Sequence, residues 1–380
     1  MNFDFSPEQK QLQDQVARLL ARTCPPGEVR RVLDGHAPFA RAAWRALGDM
    51  DALGAAIPEA HGGAGLGALE LCLVAEEAGR ALAPLPLSSS IYLAAGLVLR
   101  AGDAGQRERL LPGLAAGTLV GTLARAEGRA AAGREPACRV EGGRLWGVKL
   151  PVTDGMAADF ALVTAREAAG VSLFLVPLGD PAVERTAVPV VDPTRPAARL
   201  AFHGAPAERL GPPGGAAALL GQALDRAAVL LAFEQVGGAA EALRRAVAYA
   251  CGRIAFGRPV GSFQAVKHKL ADVHVRLRVA RAHACYGAWA LATDAPDLPL
   301  AAAAARVAAT GAFRLAAEEM LQVHGGIGFT WEADCHLFLR RAQHTGLCLD
   351  GDGAWRARLF AGLLDRTPAD TGLLGGRDGL

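Results

Sequence analysis

The chain has 380 residues, 51% of them hydrophobic, enough to fill sizeable cores and to divide into two or three domains. Its 40 Lys and Arg are interspersed with 38 Asp and Glu for a net charge of +2, which excludes the basic footprint of a nucleic-acid binder. Seven scattered cysteines without a C-x-x-C pair read as reduced, mostly buried residues of a cytoplasmic protein.

The first twenty residues carry Asp4, Glu8 and Asp14 and lack the basic flank and apolar run of a secretory signal. No stretch reads as the roughly 18 to 20 apolar residues that cross a bilayer, so no membrane span is expected. Ser6 and Pro7 read as the N-cap and first position of a helix whose apolar stripe is Leu12, Val16, Leu19 and Leu20. A second helix is expected over 39–50. The run Gly62–Gly63–Ala64–Gly65–Leu66–Gly67 invites a phosphate-loop reading, but no Lys-Ser/Thr follows it and G-x-G-x-x-G does not fit. A loop before a helix over 69–83 is the reading its residues carry. Helical stretches over 89–117 complete an all-α domain at 1–118.

After Thr118 the period changes to alternation. Short runs at 138–141, 144–148, 160–164, 172–176 and 198–202, separated by Gly, Pro and Asp, predict a small antiparallel β-domain over 119–213. Gly211–Pro212–Pro213–Gly214–Gly215 reads as its exit linker. Long helical segments return from 216 to 364 and predict a bundle of four or more antiparallel helices within 214–366, with 367–380 as a tail. The expected fold class is therefore α+β, mostly α: a helical N-terminal domain, a central β-domain and a C-terminal helical bundle.

One stretch interrupts the bundle. Gln322–Val323–His324–Gly325–Gly326–Ile327–Gly328–Phe329 places three glycines in four positions, which ends a helix and opens backbone N–H groups to a bulky anion. On spacing alone a plain helix–helix joint is the alternative. His324, and His268 with His274, match no recognised metal-site spacing, so no metal is expected. Glu76–Glu77 and Glu318–Glu319 read as solvated helix faces.

Together with Arg253–Ile254–Ala255–Phe256–Gly257–Arg258 and Phe263–Gln264, the glycine stretch resembles the paired signatures of the acyl-CoA dehydrogenase family. The order of segments follows that family along nearly the whole chain. The resemblance implies FAD between the β-domain and the bundle, partly held by a neighbouring subunit, and hence self-association as a dimer or dimer of dimers. It implies α,β-dehydrogenation of an acyl-CoA thioester, a carboxylate taking the C2 proton, and electron-transfer flavoprotein as acceptor. By the same resemblance Arg253 faces the flavin pyrophosphate, Phe256 lies beside it, and Gln264 lies near the adenine half. Gln322, Gly325 and Gly326 form the second dinucleotide contact, and the Thr153 hydroxyl faces the flavin ring. A guanidinium forks onto two phosphate oxygens, and bare glycine backbone permits close approach.

The chain also departs from the family pattern. Pro151 stands in place of a ring-stacking tryptophan, and Ala126–Glu127–Gly128–Arg129–Ala130–Ala131 replaces a Thr-Glu-Pro-Gly-x-Gly-Ser-Asp loop. The usual glutamate position falls on Leu349; a one-residue shift brings Asp350 into register as the candidate base. Misplacing a base by about 1 Å costs on the order of 10²-fold in rate. The family's other glutamate position is Ala227, and Glu234 lies about 10 Å further along that helix. These departures imply one of two dissimilar subunits of a heteromeric dehydrogenase of the kind that acts on fatty acids or sterol side chains. A flavin oxidase or monooxygenase on the same scaffold, and a non-catalytic partner subunit, are the rival readings.

Overall fold

Ser6 begins the first helix as its chemistry dictates. Its hydroxyl accepts from the Gln9 amide while the Gln9 side chain accepts from the Ser6 N–H, so two orphan donors at the start of α1 (Pro7–Thr23) are satisfied reciprocally. The computed structural model describes residues 5–128 and 135–365; the expected tail at 367–380 lies outside them. A short α2 (Pro26–Leu33), not anticipated from the sequence, precedes α3 (Arg41–Asp49) and α4 (Ala68–Arg80). The stretch expected to be plainly helical after Ser89 opens instead as a nine-residue π-helix, Leu87–Ala95, which runs into α5 (Gly96–Ala101) and is followed by α6 (Ala104–Ala115). π-Helical turns are rare and concentrate at functional sites.

Eight strands form the central sheet: β1 (Gly121–Ala124), β2 (Arg139–Glu141), β3 (Arg144–Thr153), β4 (Phe160–Glu167), β5 (Gly170–Pro177), β6 (Val183–Val188), β7 (Ala197–Pro206) and β8 (Glu208–Leu210). Their order is β6-β7-β3-β2-β4-β5-β8, with β1 also beside β4. The sheet is mixed rather than purely antiparallel, because β1 and β2 both run parallel to β4. Both are too short for their alternation to reveal direction, and both reach β4 from loops instead of hairpins. β1, β6 and β8 were not legible as strands. β6 is almost wholly solvent-facing and carries Glu184 and Arg185, the charged dress of an edge strand.

The C-terminal part is built on α7 (Ala216–Gly252), a 37-residue helix that leads through the hairpin β9 (Ile254–Ala255) and β10 (Arg258–Pro259) into α8 (Gln264–Ala292). α9 (Leu298–His324), a 3₁₀ turn Gly325–Phe329, α10 (Cys335–Leu347) and α11 (Gly351–Leu364) complete it. α4 crosses α7 backbone to backbone. A Cβ at Gly79 would fall 1.8 Å from the Glu234 carbonyl oxygen, and one at Gly237 would fall 1.8 Å from that of Glu76.

That crossing corrects two expectations. Glu76 and Glu77 are buried, not solvated: Arg80 donates to both, Arg281 also donates to Glu76, and Gln13 donates to Glu77 at 2.7 Å. Burial pushes the Glu77 carboxyl up, against the pull of Arg80. Their spacing could not show that α4 has helices on several sides. Likewise α7 and the run Leu298–Phe329 are long and apolar enough to cross a membrane by composition, yet most of each window is buried inside the protein. A helix covered on all sides is apolar on all sides, whichever medium covers it.

Candidate functional site

At the end of α7 the chain must turn sharply, and Arg253 is the residue at which it leaves the helix, with φ −77° and ψ 120°. Only Phe256 and Gly257 join β9 to β10, at φ 53° and 76°, as a two-residue hairpin turn requires. That conformation is uncommon for a bulky residue. It leaves the Phe256 ring 93% exposed, edge-on to Phe263 at 6.2 Å between centroids. The Arg258 guanidinium covers Phe263 at 4.0 Å, and Gln264 opens α8 beside it, exposed.

The glycine turn sits at the same end of the bundle. Tyr249, one helical turn before Arg253, stacks on His324 at 4.1 Å, and its hydroxyl donates to the His324 carbonyl at 3.4 Å. Gln322 is exposed on the last turn of α9, and Gly325 has a φ of 63°. A Cβ at Gly325 or Gly326 would meet nothing within 4 Å, so both backbones are open from outside. The structure thus brings Arg253, Phe256, Gln264, Gln322, Gly325 and Gly326 to one rim. The side chains of Arg253, Gln264 and Gln322 have no hydrogen-bond partner among the described residues. An uncommitted guanidinium, two amides and open glycine backbone are a donor set that fits a pyrophosphate.

Thr153 lies elsewhere, at the end of β3 opposite Ala197, and its carbonyl accepts from the Thr122 hydroxyl at 2.7 Å. That bond ties β3 to β1, and one residue past β1 stands Arg125. The Arg125 guanidinium donates to Asp350, so the candidate base is tied to the end of β1. Asp350 itself sits in a left-handed turn, with φ 53° at Leu349, 77° at Asp350 and 73° at Gly351. Successive positive φ values at non-glycine residues store strain and need support. Here the support is explicit. Buried Arg306 donates to the Thr345 and Cys348 carbonyls below the turn, and Trp355 donates to the Leu349 carbonyl beside it. Burial pulls the Arg306 guanidinium down to about 10.

The loop that departs from the family pattern is anchored at its base. Glu127 accepts from the Ala137 and Cys138 amides and, at 2.6 Å, from the fully buried Lys149, which also donates to Thr164. Burial works against ionisation of Glu127, but the Lys149 bond and the two amides outweigh it and hold its carboxyl below the ordinary range. Arg129, Ala130 and Ala131 lie outside the described residues.

Sequence reasoning missed a buried polar cluster. Arg195 donates to Ser88 at 2.5 Å and pairs with Asp154 and Glu234 at 3.4 Å each; Ser89 donates to Asp154 at 2.6 Å. Arg341 pairs with Asp192 at 2.7 Å and lies 3.8 Å from Glu234. Glu234 is therefore fixed between two guanidiniums beneath the turn. Its one local signal is the run Asp192–Pro193–Thr194–Arg195, where the Thr194 amide donates to Asp192 in an Asx-type turn.

The family model described as acyl-CoA dehydrogenase, N-terminal domain, matches residues 6–118, and that described as acyl-CoA dehydrogenase, C-terminal domain, matches 214–351. The chain belongs to the acyl-CoA dehydrogenase family. It is an FAD-dependent oxidoreductase of the type that acts on the CH–CH group of an acyl-CoA. It is 35% identical to acyl-CoA dehydrogenase IpdE2 of Mycobacterium tuberculosis over 90% of this chain and 94% of that protein. Among solved structures it resembles a Tcur3481-Tcur3483 steroid ACAD (32% identity, TM-score 0.84, covering 94% of this chain and 98% of that one). It also resembles the Mycobacterium tuberculosis ChsE4-ChsE5 complex (30% identity, TM-score 0.87, covering 97% and 100%).

Proposed function

We propose that this acyl-CoA dehydrogenase is one of two dissimilar subunits of a heteromeric cytoplasmic enzyme. It lends Arg253, Phe256, Gln264, Gln322, Gly325 and Gly326 to an FAD seated largely on the neighbouring chain. The observation that carries this reading is the direction the rim faces: Phe256, 93% exposed on a strained turn, is a ring set to be covered from outside. The likeness to a two-component complex and to a steroid ACAD supports the arrangement and a bulky, sterol-derived or fatty acyl group as substrate.

FAD supplies the two-electron acceptor, and electron-transfer flavoprotein takes the electrons onward. The chain's own residues bind and orient. Arg253 would fork onto phosphate oxygens, the bare backbone of Gly325 and Gly326 would allow contact closer than any side chain, and Thr153 would offer its hydroxyl from the end of β3. A carboxylate must take the C2 proton. Asp350 is paired with Arg125. On this reading the base comes from the partner. A second reading, a self-sufficient enzyme with Asp350 as base, is favoured by one fact: the Arg125–Asp350 pair ties the turn to the end of β1, the strand that the Thr122 hydroxyl joins to Thr153.

The two separate in one experiment. Flavin per chain is measured from the visible spectrum for the chain purified alone and after co-expression with a related chain that has the family glutamate. Each sample then receives a panel of acyl-CoA thioesters anaerobically. Flavin and bleaching only with the partner support the heteromer. One flavin per chain with bleaching by the chain alone overturns it.

A further inference from the structure

A pyrophosphate at the rim needs more positive charge than Arg253 supplies. Each of its two phosphates carries one negative charge, and the backbone there is divided about holding them. α7 ends at Arg253 and α9 at Gly325, so two helix C-termini, the partly negative ends, meet the ligand. One N-terminus, that of α8, opposes them with no side-chain cap of its own. Of the other cations nearby, Arg258 is laid over Phe263, Arg244 and Arg245 both donate to Glu241, and Arg245 joins Arg30 on Asp334. Arg253 brings one positive charge against two negative ones.

His324 can bring the second. It is the last residue of α9, half-buried, with its ring stacked on Tyr249, and it lines a groove with Arg244, Arg245 and Asp334. Its Nδ1 lies 2.7 Å from the Met320 carbonyl, which can only accept, so Nδ1 carries the hydrogen. In the neutral ring Nε2 is therefore a bare lone pair, and it has no hydrogen-bond partner among the described residues. A lone pair repels a phosphate oxygen, whereas an N–H attracts it. Histidine is the side chain that changes charge between pH 5 and 8, and a neighbouring anion favours its charged form. We propose that His324 is a further cofactor-binding residue, whose imidazole takes up a proton as FAD binds, so that the rim meets the pyrophosphate with two cations. Tyr249 faces the ring with its π-surface and keeps its hydroxyl on the His324 carbonyl, an arrangement that accommodates a cation. Of the charged groups around the groove, Arg244 and Arg245 oppose protonation while Glu241 and Asp334 favour it, which leaves the ligand's own charge to decide.

The inference rests on the reading that the rim holds the pyrophosphate, and one set of measurements, made without turnover, separates the two. Holoenzyme with any partner retained is diluted at pH 6 and at pH 8, and release of FAD is followed by the recovery of free-flavin fluorescence. A pH indicator in weak buffer at pH 7 counts the protons that leave with it. The dissociation constant is expected to rise about tenfold from pH 6 to pH 8, with about half a proton or more released per flavin. His324→Gln keeps an amide N–H without the charge, and should show the weaker, pH 8 affinity at both values and release no proton. His324→Phe keeps the stack on Tyr249 and should behave alike, with an unchanged circular dichroism spectrum; should either variant fail to fold, the other gives the reading. His268→Gln, at an exposed position one turn past Gln264 on α8, should leave the pH dependence intact. Release that is equal at pH 6 and pH 8, a dependence that survives in the His324 variants, or one that His268→Gln removes overturns the inference, and the rim reading stands if Arg253→Lys still weakens FAD tenfold. Flavin binding indifferent to Arg253→Lys overturns both.

Discussion

Tyr249 stacks on His324 at 4.1 Å, so the last turn of α7 and the glycine turn after α9 are held in one fixed relation. Arg253 and Gly325 can face the same ligand only while that relation lasts. Tyr249→Ala removes an aromatic pair worth about 0.5–1.5 kcal/mol, a modest loss of stability. Flavin content of the assembled enzyme is expected to fall much further, severalfold, and the flavin-to-protein ratio read beside the melting temperature checks it.

Arg253→Lys retains the charge and discards the fork. Affinity for added FAD is expected to drop at least tenfold, by fluorescence titration of the assembled protein, with no change in fold. Phe256→Ala, at a ring 93% exposed, should leave the stability of the chain within about 0.5 kcal/mol while weakening assembly with its partner.

Asp350→Asn distinguishes a working base from a bystander. Loss of an essential base costs on the order of 10²-fold or more in the rate of flavin reduction. With the base supplied by the partner, the expected effect is under tenfold, measured by anaerobic stopped flow on the assembled enzyme.

His344 makes stability depend on pH. Burial, reinforced by Arg195, pushes its imidazole from 6.5 down to about 3. Between those values the unfolded chain takes up a proton that the folded chain refuses, so stability falls as pH falls from about 6.5 towards 3. The loss is on the order of a few kcal/mol at pH 4. Glu127, held below its ordinary range, adds stability that is present above pH 4.5 and lost below it. Urea midpoints across pH should show this slope, and His344→Gln should flatten its upper part.

Two glycines should respond oppositely to the same substitution. Gly79→Ala places a methyl 1.8 Å from a backbone oxygen of α7, and loss of soluble protein or a cost above about 4 kcal/mol is expected. Gly96→Ala meets open space in a helix and should stabilise by about 1 kcal/mol, seen as a higher melting temperature.

The rim was legible because each of its elements is local. A helix end, a two-residue turn and a glycine run announce themselves in adjacent residues, and Arg253, Phe256, Gln264, Gln322, Gly325 and Gly326 stand at such places. Asp350 was legible as a position but not as half of an ion pair, since Arg125 is 225 residues away in sequence. The Arg195 cluster was hidden for the same reason: its members come from every part of the chain, and only packing brings them together. Strand direction failed where strands were three or four residues long, too short for alternation to speak. The solvated reading of Glu76 and Glu77 failed because spacing records periodicity and is silent about what lies opposite.

Arg195 has one further consequence. Its partners Ser88, Asp154 and Glu234 belong to the N-terminal helices, the sheet and the long helix respectively, and all are buried. Separating any of these parts would strand a charge in a dry interior, which costs more than most single contacts return. The chain should therefore melt in a single cooperative step, and no cut at its linkers should yield a fragment that folds alone. Exchange of one part for its counterpart from a relative would succeed only where the relative carries the same charges at the seam.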